Sequence, residues 1–159
     1  MQSAREGIVT PQIQAVAEKE LRPVEFILER VADGRIVIPA NINHKNLVPM
    51  GIGRELLTKI NANIGNSSTS SCPQAEKRKL DQAIRYGADT VMDLSTGGDI
   101  DLIRSSIIAA SPIPVGTVPV YEIVAKYGAD NFDEKTVVNT ILSQAKQGVD
   151  YMTIHPGLL

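Results

Sequence analysis

The chain has 159 residues, 43% of them hydrophobic and 21% charged, which is enough for one domain with its own core. Its 16 basic and 18 acidic residues leave a net charge of −2, and without a long basic stretch nucleic acid is excluded as an electrostatic partner. The single cysteine, Cys72, rules out an intrachain disulfide, and one thiol cannot hold an iron–sulfur cluster.

The N-terminal MQSAREGIVTPQ has no basic region leading into an apolar run, so it does not read as a signal peptide. No apolar stretch approaches the roughly 18 residues of a bilayer span. The expectation is a cytoplasmic protein with no membrane contact. Thr10-Pro11 is a helix start, a hydroxyl cap followed by proline in the first turn, and the helix runs to about Glu20 with Ile13, Val16 and Ala17 inward. Pro23 opens a second helix, PVEFILERVADG, with Phe26, Ile27 and Val31 inward and Gly34 as its stop. Residues 1–34 thus form a helical leader outside the repeating pattern that follows. RIVIP (35–39) is a short strand halted by Pro39, and ANINHKNLVPMGIG is irregular.

From residue 57 the pattern becomes regular. TKINANI, DTVMDL (89–94), IPVGTV (113–118) and VDYMTI (149–154) are strands. Between them lie helices from Pro73 to Tyr86, after the Asp99 cap, from Tyr121 to Tyr127, and from the Asp133 cap to Gly148. The alternation predicts an α/β fold, a parallel sheet covered by helices, with about four βα units in residues 35–159. That is the first half of a (β/α)₈ barrel of the TIM type, left incomplete. A doubly wound open sheet is the alternative, although G-x-G-x-x-G is missing and GIGREL has only its first two glycines.

Polar, glycine-rich segments follow these strands: KINANIGNSS, VMDLSTGG, VGTVPVY and YMTIHPG. Residues after consecutive parallel strands gather on one rim, where such folds build active sites. Asn61 and Asn63 alternate with Ala62 and Ile64, so both amides share a face. They can bind a polar ligand or cap a neighbouring turn. GNSSTSS (65–71) can cradle an anion or serve as an ordinary loop. Met92 shares a face with Thr90 and Leu94, and a methionine there is ordinarily core. Asp93, an acid in an apolar strand, requires a partner. Tyr121 can donate to a ligand or pack on its helix. His155 at the last strand end can contact a ligand, move a proton or ligate a metal. His44 has no other ligand type at metal spacing.

At these segments the chain resembles the phosphomethylpyrimidine synthase family, enzymes that make the pyrimidine of thiamine. The resemblance runs through AREGIVTP (4–11), EFILERVADGRIVIPANINH (25–44), KINANIGNS (59–67), YGADTVMDLSTGGDID (86–101), SPIPVGTVPVY (111–121) and QGVDYMTIH (147–155). It implies the N-terminal part of a radical S-adenosylmethionine lyase that converts 5-aminoimidazole ribotide to the hydroxymethylpyrimidine phosphate. In that family a [4Fe–4S] cluster cleaves S-adenosylmethionine to a radical, zinc is bound by two histidines, and the protein is a homodimer. The resemblance carries substrate binding onto Asn63, Met92, Tyr121 and His155. It puts the zinc histidines and the C-x₂-C-x₄-C cluster motif beyond residue 159, so no metal ligand is expected within this chain, and Cys72 matches no cluster position.

Two positions depart from the family pattern. Pro156 stands where alanine is usual and stiffens the turn. Glu122 stands where glutamine is usual, and the expectation is a negative charge beside a phosphate-bearing substrate. A related branch, hydroxybenzimidazole synthase, uses the same ribotide and remains an alternative, as does an inactive fragment that only binds the ribotide. The chain alone is expected to be inactive, and a half barrel with bare strand flanks is expected to self-associate.

Overall fold

The computed structural model describes residues 1–67 and 72–155. Three helices open the chain: α1 (Gln2–Arg5), α2 (Pro11–Glu20) and α3 (Val24–Ala32). The Thr10 hydroxyl accepts the Ile13 amide at 3.4 Å, satisfying one of the orphan donors at the start of α2. Pro23 precedes α3 as its cap residue instead of opening it. The short α1 carries no cap signature in the sequence; it forms because Ala4 packs under Ile13, Val16, Ile27 and Val31.

The RIVIP strand forms as β1 (Ile36–Val37), but it pairs antiparallel with β2 (Ile52–Gly53) and not with the main sheet. Ile36 is fully buried among the leader side chains, so this ribbon shares the leader's core.

The main sheet is parallel and takes its strands in chain order: β3 (Asn61–Ile64), β4 (Thr90–Asp93), β5 (Val115–Thr117) and β6 (Tyr151–Met152). The connections are α4 (Pro73–Arg85), α5 (Ile100–Ala110) and the pair α6 (Pro119–Tyr127) and α7 (Glu134–Gln147). Asp99 and Asp133 cap α5 and α7 through the Leu102 and Thr136 amides. Gly148, at φ +113°, ends α7 in a backbone conformation that only glycine adopts without strain.

Ile64, Val91 and Val115 point to one face and pack with Leu80, Ile103, Ile107, Ile108 and Val149. This core lies between sheet and helices. The strand order does not reverse among the described strands, whereas a doubly wound sheet reverses its order and is covered on both faces.

At the N-terminal ends of β5 and β6 sits a brace assembled from distant residues. His44 and Asp150 have wholly buried side chains, with Nδ1 and Oδ2 2.6 Å apart. His44 Nε2 lies 2.8 Å from the Ser111 carbonyl. The Asp150 carboxylate also accepts the Asn41 and Val115 amides, each at 2.8 Å. Asn41 Nδ2 donates to the Ala145 and Val149 carbonyls. ANINH is therefore a clasp that ties the irregular segment to the end of α7 and the start of β6.

Both His44 nitrogens face acceptors, and only an imidazolium can donate twice. Burial alone would lower the His44 pKa, but the bonds to Asp150 and Ser111 outweigh it and raise it. The raised folded value means that the clasp stabilises fully below the unfolded value near 6.5 and weakens as pH rises through the folded value. His44→Ala leaves a buried carboxylate without its cation and is expected to cost about 3 kcal/mol. Calorimetry should show a midpoint lower by roughly 5–10 °C near pH 6. The gap between wild type and variant should narrow as pH rises; a pH-independent gap would contradict a protonated His44.

Candidate active site

The face of the sheet opposite the helix-packed core follows from the pleat. Register pairs Asn61 with Thr90, Asn63 with Met92, Met92 with Gly116, and Gly116 with Tyr151. These residues alternate with the core-facing set, so they line the opposite surface. Asn61 Nδ2 donates to Asn63 Oδ1 at 2.8 Å, which puts both asparagines on one face as their spacing implied. Thr90 Oγ1 and Tyr151 Oη each donate to Asn61 Oδ1 at 3.0 Å. Tyr151 reaches β3 by laying its ring over Gly116; any Cβ at residue 116 would overlap that ring. Asn63 is exposed, and Met92 beside it is half-buried.

The loops beyond β3 and β4 are stitched together. Asn66 N donates to Ser95 Oγ at 3.2 Å, Asn66 Nδ2 to the Gly97 carbonyl at 2.6 Å, and Thr96 N to the Asn66 carbonyl at 3.0 Å. Ser95 in turn donates its hydroxyl and its amide to Asp93 Oδ1 at 2.5 and 3.0 Å. Asp93 thus finds the partner that an acid in an apolar strand needs, and it points into the protein away from the rim. Burial pushes its pKa up, against the opposing pull of the Ser95 bonds and of Arg104. Gly65 is held by Glu76, which accepts its amide at 2.9 Å. Of GNSSTSS, residues 68–71 lie outside the described residues, as does Pro156.

Tyr121 stands in the first turn of α6, and its ring stacks on His155 with centroids 6.1 Å apart and planes 26° from parallel. It is 40% exposed. Beside it a groove of about 500 Å³ is lined by Thr96, Val120, Tyr121, Val124 and Ala125. The structure therefore sets Asn63 beside Met92 and Tyr121 against His155. All four lie at or beyond the C-terminal ends of sequential strands.

Glu122 corrects an expectation. One residue along the helix from Tyr121, it turns inward and is buried. Arg104 and Lys126 each contact it at 2.5 Å, and Gln144 donates to it at 2.7 Å. Asp101 pairs with the same two cations at 2.5 and 2.7 Å. Two positive and two negative groups thus balance where α5, α6 and α7 meet, with Arg104 and Glu122 buried and Asp101 and Lys126 partly exposed. Glu122 carries no charge to the rim. Burial would raise its pKa, but Lys126, Arg104 and Gln144 outweigh that and lower it.

Sequence reasoning missed Tyr151 and Thr90. A glycine in the middle of an apolar strand, Gly116, was the signal for a close approach. No group of three or more His, Cys, Asp or Glu able to hold a metal ion occurs among the described residues. Cys72 is exposed and unaccompanied by another thiol. The residues present do not fit a cluster. No described helix is long and apolar enough to cross a membrane.

Residues 1–159 match the Radical SAM ThiC family. A phosphomethylpyrimidine synthase of Natronomonas pharaonis is 56% identical over 160 aligned residues, covering 100% of this chain and 34% of that protein. A phosphomethylpyrimidine synthase of Haloarcula marismortui is 52% identical, covering 99% of this chain and 33% of that protein. The chain spans about a third of the length of both relatives.

The ionic cluster makes Glu122→Gln a test of stability. The variant should lose about 1–3 kcal/mol, the worth of hydrogen bonds to charged groups, and melt several degrees lower at pH 7. Since the folded pKa of Glu122 is depressed, its contribution is present above the unfolded value near 4.5 and lost as pH falls through the folded one. The two melting curves should therefore converge in acid. Equal midpoints at pH 7 would show that Asp101 alone satisfies Arg104 and Lys126.

Proposed function

The chain belongs to the radical SAM ThiC family, and from that premise we propose that it is the N-terminal portion of a thiamine-pyrimidine synthase. The reaction is the conversion of 5-aminoimidazole ribotide to 4-amino-5-hydroxymethyl-2-methylpyrimidine phosphate. The family implies S-adenosylmethionine and an iron–sulfur cluster. The one cysteine argues that cluster ligands come from outside this stretch, as would the zinc histidines. We read the sequential parallel sheet as the opening half of a (β/α)₈ barrel behind a helical leader, in a cytoplasmic homodimer.

The observation that carries this reading is the convergence of the match with the rim. Relatives bearing one enzymatic name align over the whole chain. The residues that the resemblance marks for substrate, Asn63, Met92, Tyr121 and His155, stand at four successive strand ends. Their chemistry suits a flat heterocycle on a ribose phosphate. Asn63 offers amide donors, Met92 a polarisable apolar floor, and the Tyr121–His155 stack an aromatic wall. The loops at 65–67 and 95–98, held by Glu76, Asp93 and Ser95, leave little freedom for these groups to drift. The inward Glu122 removes one reason to favour the hydroxybenzimidazole branch over the thiamine branch.

Two measurements test the proposal. The purified chain should bind 5-aminoimidazole ribotide by calorimetry, and Asn63→Ala or His155→Ala should each weaken binding roughly three- to tenfold. Supplied with S-adenosylmethionine and dithionite, the chain alone should form no pyrimidine phosphate. Affinity unchanged in both variants would remove the assigned site, and product formation would refute the requirement for cluster ligands from elsewhere.

A further inference from the structure

Asn63 is exposed, and among the described residues its Nδ2 has no hydrogen-bond partner, while its Oδ1 is taken by Asn61. Which end of the Asn63 amide faces solvent is decided two residues away. Asn61 Oδ1 collects two hydroxyl donors, from Thr90 and from Tyr151. That turns the Asn61 amide nitrogen toward Asn63 and makes the Asn63 oxygen the inner end. Reversing the Asn61 amide would point its oxygen at Asn63 and turn the Asn63 oxygen outward. The Asn63 side chain would then present an acceptor in place of donors.

We infer that Tyr151 is a positioning residue: by donating to Asn61 across Gly116, it orients Asn63 so that two N–H donors face the ligand side of the sheet. The ligand feature recognised at that point is a hydrogen-bond acceptor, a ring nitrogen or an oxygen, and not an exocyclic amine. Three observations support the assignment. The Tyr151 ring is fixed on Gly116, where no other residue type leaves room. Its hydroxyl sits 3.0 Å from Asn61 Oδ1, with the Val91 carbonyl at 3.4 Å as a poorer alternative. Burial pushes the phenol pKa up, so the hydroxyl stays a donor throughout the neutral range. The identity of the ligand rests on the proposed ribotide site; the orientation of the two amides does not.

Tyr151→Phe keeps the ring and removes the donor. The experiment uses the 159-residue chain labelled with ¹⁵N, with the Asn61 and Asn63 side-chain amide resonances assigned by their loss in Asn61→Ala and Asn63→Ala. Tyr151→Phe should shift the Asn63 side-chain amide resonances, although Tyr151 makes no hydrogen bond to Asn63 itself. Unshifted Asn63 resonances in a variant with a native circular dichroism spectrum would overturn the inference without any ligand. In ribotide titrations Tyr151→Phe should weaken binding roughly fivefold. Adding Asn63→Ala to it should cost less than Asn63→Ala does in the wild-type background. Strict additivity would also overturn the inference. If Asn63→Ala leaves ribotide binding intact, the substrate assignment of Asn63 fails instead, and the resonance shift alone decides the orientation.

Discussion

In the pairing of β3 through β6, one register places Asn63 beside Met92, Met92 beside Gly116, and Gly116 beside Tyr151. Every other residue then faces the helices. A slip of one residue in β3 would exchange its two sets and bury the Asn61 and Asn63 amides where Ile64 now packs. The apolar set enforces the register, because three side chains of that size buried or exposed differ by several kcal/mol. The polar face is a consequence: it exists because the opposite face is committed to the core.

The polar groups divide by the end of the sheet at which they sit. At the N-terminal ends, His44, Asp150, Asn41 and Ser111 close on one another. Between the helices, Arg104, Glu122, Asp101 and Lys126 do the same. Burying such groups is costly unless each is paired, and here each is. At the C-terminal ends the pattern changes. Asn63, Tyr121 and His155 are exposed, and the Asn63 amide oxygen accepts from Asn61.

Much of this was legible in the residues. Thr10, Asp99 and Asp133 announced helix starts, and the structure shows each capping. Gly148 announced a helix end. The four parallel strands fall inside the segments read as strands. The spacing of Asn61 and Asn63 gave their common face. Other features were out of reach. RIVIP reads as a strand but says nothing of its partner, and the choice of Ile52–Gly53 follows from how the leader buries Ile36. α1 has no cap and exists through its packing.

The division has one physical cause, the range over which each interaction acts. Caps, glycine turns and alternation operate within about four residues, so a linear reading captures helix limits, strand faces and rare strings such as IPANINH. Side-chain partners are set by how elements dock. Tyr121 and Glu122 are adjacent in the chain, yet a helix turns about 100° per residue, sending one to the rim and the other into an ionic cluster. His44 meets Asp150 across 106 positions, and Tyr151 meets Asn61 across 90. Only the assembled sheet, with Gly116 leaving a lane across β5, could bring those groups within a hydrogen bond of each other.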